Sequence, residues 1–145
     1  MPNVVRLTDL PTDIKALAEL ARGEGFRFLD RLVREFNSGA NTFTGQGEGL
    51  YGVLDGKRLV GVGGLSIDPY TDEQGVGRLR RLYVHPHYRD RGVGAALAKR
   101  LEQQGAETFG AIRLFTDSPR AARFYERLGY TRRAARHVSH LKQLR

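Results

Sequence analysis

The chain has no cysteine and a single methionine among its 145 residues. Without cysteine there can be no disulfide, no thiolate zinc site and no cysteine nucleophile, and the chain reads as intracellular and cytoplasmic. No apolar run approaches the roughly 20 residues that a membrane span requires. No basic-then-apolar leader opens the sequence, where Val4, Arg6, Leu7 and Asp9 already have the character of folded structure. Internal repeats and low-complexity tracts are also missing.

What is present is globular composition, 40% hydrophobic and 28% charged, in a length expected to form one domain over residues 1–145. A chain of this size can bury about two-thirds of its unfolded surface. The net charge of +8 is unevenly spread. Residues 1–77 carry 8 basic and 11 acidic side chains, residues 78–119 carry 8 and 4, and residues 120–145 carry 8 and 1. Such asymmetry favours an anionic ligand on one side of the molecule, although a nucleic-acid surface would share it. The acidic N-terminal half, in turn, favours a cationic amine as a second ligand.

Periodicity predicts a first strand over Val4–Leu7 and a helix from Ile14 capped by Thr12 or Asp13, with Ile14, Leu17, Ala18 and Ala21 on one face. A second helix is expected over Phe26–Phe36, then a glycine-rich loop. Leu50–Leu54 and Arg58–Ile67 read as strands joined through Asp55-Gly56, a strong hairpin signal. Gly61, Gly63 and Gly64 inside the second run suggest a bulge or the close approach of another backbone or a ligand.

In the next strand, alternation back from Val84 through Leu82 reaches Arg80 rather than Leu79. One extra residue restores the phase, which predicts a β-bulge near Arg80 and Arg81. Val93, Leu97, Leu101 and Gln104 mark the inner face of a helix from about Gly94. Ala111–Thr116 is a short strand. Ser118-Pro119 starts a helix whose stripe is Ala121, Phe124, Tyr125 and Leu128, and Gly129 ends it. Two final strands follow, over Tyr130–Ala134 and His137–Leu144.

Between the bulged strand and the following helix lies Arg89-Asp90-Arg91-Gly92-Val93-Gly94. Glycines at a helix N-terminus leave backbone N–H groups free, at the positive end of the helix dipole, with no Cβ atoms in the way. With Arg89 and Arg91 adding charge, the loop is expected to bind a phosphorylated small molecule.

The ordered string LRRLYVHPHYRDRGVGAALAKRL, followed by LFTDSPRAARFYERLGY, resembles the GNAT superfamily of acyl-CoA-dependent N-acetyltransferases. Its signature is Gln or Arg, two residues, Gly, one residue, then Gly or Ala, filled here by Arg89, Gly92 and Gly94. The resemblance implies an α/β fold: a mixed, mostly antiparallel sheet splayed between its fourth and fifth strands, with about four helices on both faces. It implies acetyl-CoA as co-substrate, held by Leu82, Tyr83, Val84, Arg89, Asp90, Arg91, Gly92, Val93, Gly94, Ala95, Ser118 and Tyr125. It further implies that the backbone at Val84 stabilises the oxyanion and that Tyr125 protonates the departing thiolate. The acceptor would be a small-molecule or peptide amine, and a homodimer through the C-terminal strands is plausible in such a family.

The pattern departs from the family at two places. Arg78 stands where many members carry a glutamate base, so Glu73, with Asp72, Glu24 and Glu48 as alternatives, is expected to take the amine proton. Ser118-Pro119-Arg120 replaces a common asparagine. Two other readings compete. A dinucleotide fold fails because His85–Arg91 separates strand from first glycine and only 28 residues follow Asp117. A non-catalytic module binding nucleic acid or protein through the basic C-terminal face would show steep salt dependence and ignore acetyl-CoA. His85, His87, His137 and His140 lack the spacing of a zinc site, and no metal is expected.

Overall fold

A computed structural model describes residues 2–145. Strands β1 (Val4–Arg6), β2 (Gly49–Asp55), β3 (Arg58–Ile67), β4 (Val76–Val84), β5 (Ala111–Leu114), β6 (Thr131–Ala135) and β7 (Val138–Gln143) form one sheet in the order β1-β2-β3-β4-β5-β7-β6. Helices α1 (Ile14–Gly23) and α2 (Phe28–Ser38) cover one face, while α3 (Val93–Gly105) and α4 (Pro119–Arg127) cover the other. Every neighbouring pair is antiparallel except β4 with β5.

That parallel pair sets the shape of the molecule. Only Val76, Gly77 and Arg78 of β4 face Ala111, Ile112 and Arg113 of β5. Beyond Arg78 the strands part, so β4 from Leu79 to Val84 has no ladder partner on its β5 side. The expected splay between the fourth and fifth strands is therefore present.

On the other side of β4, Tyr83 faces Val62 and Arg80 faces Gly64, leaving Arg81 and Leu82 opposite Gly63. This is the bulge that the broken alternation predicted, and Arg81 holds a left-handed φ of 62° within it. Of the β3 glycines, Gly63 lies opposite this bulge, and the atoms nearest to all three belong to side chains. A Cβ on Gly61 would lie 2.8 Å from Val93, on Gly63 2.8 Å from Leu82, and on Gly64 2.5 Å from the Phe43 ring.

Other elements differ from expectation in detail. Asp13 precedes α1, but its carboxylate accepts from the Leu59 N–H at 2.7 Å and does not cap the helix. The second helix begins at Phe28, because Phe26 is used to close the first. The Phe26 N–H reaches Ala21 O at 2.9 Å and the Gly25 N–H reaches Arg22 O at 3.0 Å, with Gly25 at φ 91°. This is a Schellman ending, and it turns Glu24 off the helix end.

The same ending closes α4: Tyr130 N–H to Tyr125 O at 3.1 Å, and Gly129 N–H to Glu126 O at 3.1 Å. Its customary apolar contact is the Tyr125–Tyr130 ring pair, 5.6 Å between centroids. At the start of α4, Ser118 Oγ accepts from Ala121 N–H at 3.3 Å, with Pro119 in the first turn, as the sequence predicted. Fully buried Leu97 and Leu101 anchor α3 to the sheet, each burial worth roughly 1.5–3 kcal/mol.

Candidate coenzyme and acceptor cleft

A cleft of about 1130 Å³ runs through the gap between β4 and β5. Of the residues expected to hold the coenzyme, Leu82, Tyr83, Val84, Arg89, Asp90, Gly92, Val93, Gly94, Ala95, Ser118 and Tyr125 all line it. Arg91 does not; its guanidinium lies over the Tyr88 ring, 5.3 Å from the centroid.

The loop at the cleft's end is built from two left-handed residues, Asp90 at φ 63° and Gly92 at φ 80°. They turn the chain into α3, whose first intrahelical bond runs from Ala96 N–H to Gly92 O at 3.0 Å. The N–H groups of Val93, Gly94 and Ala95 therefore precede any intrahelical partner. No atom lies within 4 Å of where a Gly92 Cβ would stand, so the approach to these amides is open.

Along β4 the backbone faces alternate. The His85 N–H is spent on Val60 O of β3 at 2.8 Å, so the polar groups of Val84 turn the other way, into the gap. Val84 O accepts from Arg89 Nε at 3.2 Å, which leaves the Val84 N–H as the donor at that point. Across the gap Tyr125 is buried among Phe124 and Tyr130, and burial pushes its phenol well above the usual tyrosine range. It stays protonated at neutral pH.

The arrangement thus joins a helix N-terminus with free amides, an unpaired strand edge and a protonated phenol in one groove. A family model for the acetyltransferase (GNAT) family matches residues 14–130. The chain belongs to the GNAT acetyltransferase family. Solved structures with the same fold include an acetyltransferase from Streptococcus agalactiae, with 16% identity, a TM-score of 0.76 and 98% of both chains covered. The N-acetyltransferase YlbP of Bacillus subtilis, solved in complex with coenzyme A, has 20% identity and a TM-score of 0.66, covering 99% of this chain and 97% of its own. A protein from Exiguobacterium sp. 255-15, named as an acetyltransferase, reaches a TM-score of 0.88 at 23% identity over 99% of this chain and 93% of its own. No curated protein matches the chain in sequence at a significant level.

In this GNAT chain the acids proposed as bases are not placed for that work. Glu73 and Asp72 sit on the exposed loop before β4 and do not line the cleft, so the assignment of Glu73 as base is not carried by the geometry. Glu48 spends both carboxylate oxygens on the N–H groups of Gly45 and Ile67. Glu24 does line the cleft, yet it is doubly engaged: Arg89 donates to it at 2.6 and 2.9 Å, and Tyr83 donates its hydroxyl. The Arg89 hydrogen bonds hold its carboxyl below the usual range, which makes it a weak base.

Ser118 reaches the cleft, but its Oγ is committed to the α4 cap. Sequence reasoning missed the side chains of the α2-facing wall, where Arg78, Arg80 and Arg81 line the cleft beside Arg31. Three arginines inside one strand were the available signal. Two acids of the N-terminal half, Glu24 and Glu35, are paired to Arg89 and Arg81. Among the described residues no group of three or more His, Cys, Asp or Glu is placed to hold a metal ion, and no helix is long and apolar enough to cross a membrane.

Proposed function

We propose that the chain, acting as one acetyltransferase domain over residues 1–145, moves an acetyl group from acetyl-CoA to a primary amine by direct attack within a ternary complex. The observation that carries this reading is the continuity of the groove, from the free amides of Val93–Ala95 to the open edge of β4 at Val84 and on to Tyr125. Acetyl-CoA supplies the activated thioester. The loop amides and the α3 dipole receive its pyrophosphate, and the edge of β4 pairs with its extended arm as a strand would.

The Val84 N–H donates to the carbonyl oxygen as negative charge builds there, typically the largest contribution to acyl transfer. Tyr125 gives its proton to the departing sulfur, and burial keeps that proton in place at neutral pH. The amine attacks in its neutral form and passes its proton to water.

Calorimetry with acetyl-CoA, against NADH and a short DNA duplex at two salt concentrations, tests the reading, followed by thiol release with an amine panel. Saturable acetyl-CoA binding with amine-dependent thiol release supports it. Indifference to acetyl-CoA with salt-dependent DNA binding sinks it.

A further inference from the structure

The wall of the cleft beneath α2 holds more buried positive charge than the protein itself neutralises. Arg78 and Arg81 are 7% and 8% exposed, and Arg80 stands between them on β4. Nearby acids are already taken. Glu35 accepts from Arg81 Nη2 at 2.9 Å. Asp68 accepts from Arg113 Nε at 2.7 Å and from the Tyr70 N–H at 2.9 Å, and stands 3.9 Å from Arg78 Nη1, beyond hydrogen-bond reach.

Arg80 has neither an ion pair nor a side-chain hydrogen bond among the described residues. Three buried donors are left over: Arg78 Nη1, Arg80 Nε and Arg81 Nε. Burying guanidinium donors without acceptors is costly, and like charges side by side raise the cost. Arg80 also opens onto a second hollow of about 530 Å³, where the buried Ser66 Oγ is likewise without a partner. Three guanidinium donors on this wall, with the Ser66 hydroxyl in the adjoining hollow, thus have no partner within the chain.

Resting on the reading above, we infer that the amine substrate also carries an anionic group, a carboxylate or a phosphate, and that Arg80, flanked by Arg78 and Arg81, binds it and sets acceptor specificity. Arg80 lies four residues before Val84 on one strand, about 10–13 Å at the usual rise. An anion at Arg80 therefore leaves the amine end of a small molecule free to reach Val84. A guanidinium fork suits either oxyanion. The same cations act on the other end of the substrate. Their field disfavours an ammonium ion, so the amine sheds its proton more readily and the lack of a carboxylate base is offset. Polyamines and lysine-rich peptides are repelled.

The test pairs amines with and without the anion: phenylalanine with phenylalaninamide, glycine with glycinamide, and 2-aminoethyl phosphate with 2-aminoethanol, every rate being expressed per neutral amine because loss of the anion also lowers the amine's own pKa. Thiol release from acetyl-CoA gives kcat/KM for each. The anionic member of at least one pair is expected to be favoured about tenfold or more, the scale of a charged hydrogen bond lost. A preference confined to the phosphate pair assigns phosphate, and one confined to the other pairs assigns carboxylate. Arg80→Met should bring the ratio toward one by raising KM for the anionic amine, with acetyl-CoA affinity unchanged, and Arg80→Lys should restore part of it.

Equal rates, or a preference for the neutral amines or for spermidine, would overturn the inference while leaving acetyl transfer standing. Failure to bind acetyl-CoA would instead overturn the underlying reading. Should no amine be acylated, the CoA-saturated wild-type protein is titrated calorimetrically with the same pairs. Selective binding of the anionic member then supports the inference; equal or absent binding overturns it. The wild-type comparison stands even if Arg80→Met does not fold.

Discussion

Arg89 and Glu24 form a two-point ion pair across 65 positions of sequence, with Arg89 Nη2 at 2.6 Å from Glu24 Oε1 and Nη1 at 2.9 Å from Oε2. The first residue of the glycine signature is thereby fixed to the end of α1. Arg89 also lies over the Tyr83 ring at 5.4 Å and bonds Val84 O, so one side chain ties helix, strand and glycine loop together. Its role in this geometry is to position the loop, with most of its charge answered by Glu24.

Glu24→Gln should therefore loosen the loop, weakening acetyl-CoA binding and costing about 1 kcal/mol of stability, since the pair is only partly buried. The sign with pH follows from the lowered carboxyl. Because the folded value lies below the unfolded one, caused first by the Arg89 hydrogen bonds, the stabilisation is complete above the ordinary glutamate value near ~4.3. It is lost as pH falls through the folded value. Urea midpoints of wild type and Glu24→Gln should differ at pH 7 and converge in acid; a gap that widens in acid would contradict the assignment.

Much of the site was legible in the sequence because its signals are local. Arg89, Gly92 and Gly94 define a helix entry, Ser118-Pro119 a capped start, and Leu128-Gly129-Tyr130 a Schellman ending whose apolar contact seats Tyr125. The bulge was legible because strict alternation cannot carry both Leu79 and Val84. Glu24 was not, since its engagement depends on a helix ending that brings α1 to a loop 65 residues away. The direction of Arg80 and Arg81 was hidden for a related reason: a bulge changes which face a side chain takes, and its position alone does not say which.

Gly92→Glu should abolish measurable acetyl-CoA binding while the protein stays folded. A side chain at φ 80° costs about 1–2 kcal/mol, but no neighbouring atom lies within 4 Å to clash. The added carboxylate would stand at the start of α3, where the proposed function puts the pyrophosphate. Gly92→Ala separates the two effects: it bears the backbone cost without the charge, and is expected to keep binding. Circular dichroism and calorimetry on both variants check this, and tight binding by a folded Gly92→Glu would contradict the loop assignment.

Gly64→Ala tests the packing behind the site. The added methyl would stand 2.5 Å from a ring carbon of Phe43, which is 2% exposed and itself left-handed at φ 55°. Neither partner can give easily, so a loss of about 1–3 kcal/mol is expected. Because Gly64 faces Arg80 in the β3–β4 register, the strain should also reach the arginine wall. Urea unfolding measures the first effect; an unchanged midpoint would show that the ring moves freely.

Tyr125→Phe removes a hydroxyl and little else. Tyr125 packs edge-on against Phe124 and Tyr130 at 5.0 and 5.6 Å, contacts that phenylalanine retains, so stability and acetyl-CoA affinity should stay near wild type. Turnover should fall by about 10²-fold or more if the phenol is the general acid. The pH profile carries the sharper prediction. A phenol raised by burial holds its proton through the neutral and mildly alkaline range, so wild-type kcat should show no fall as pH approaches ~10, the value of an ordinary tyrosine. A descending limb near that value, absent in Tyr125→Phe, would mean that the phenol is far less buried in the working enzyme. Wild-type turnover by Tyr125→Phe under limiting chemistry would remove its role as acid.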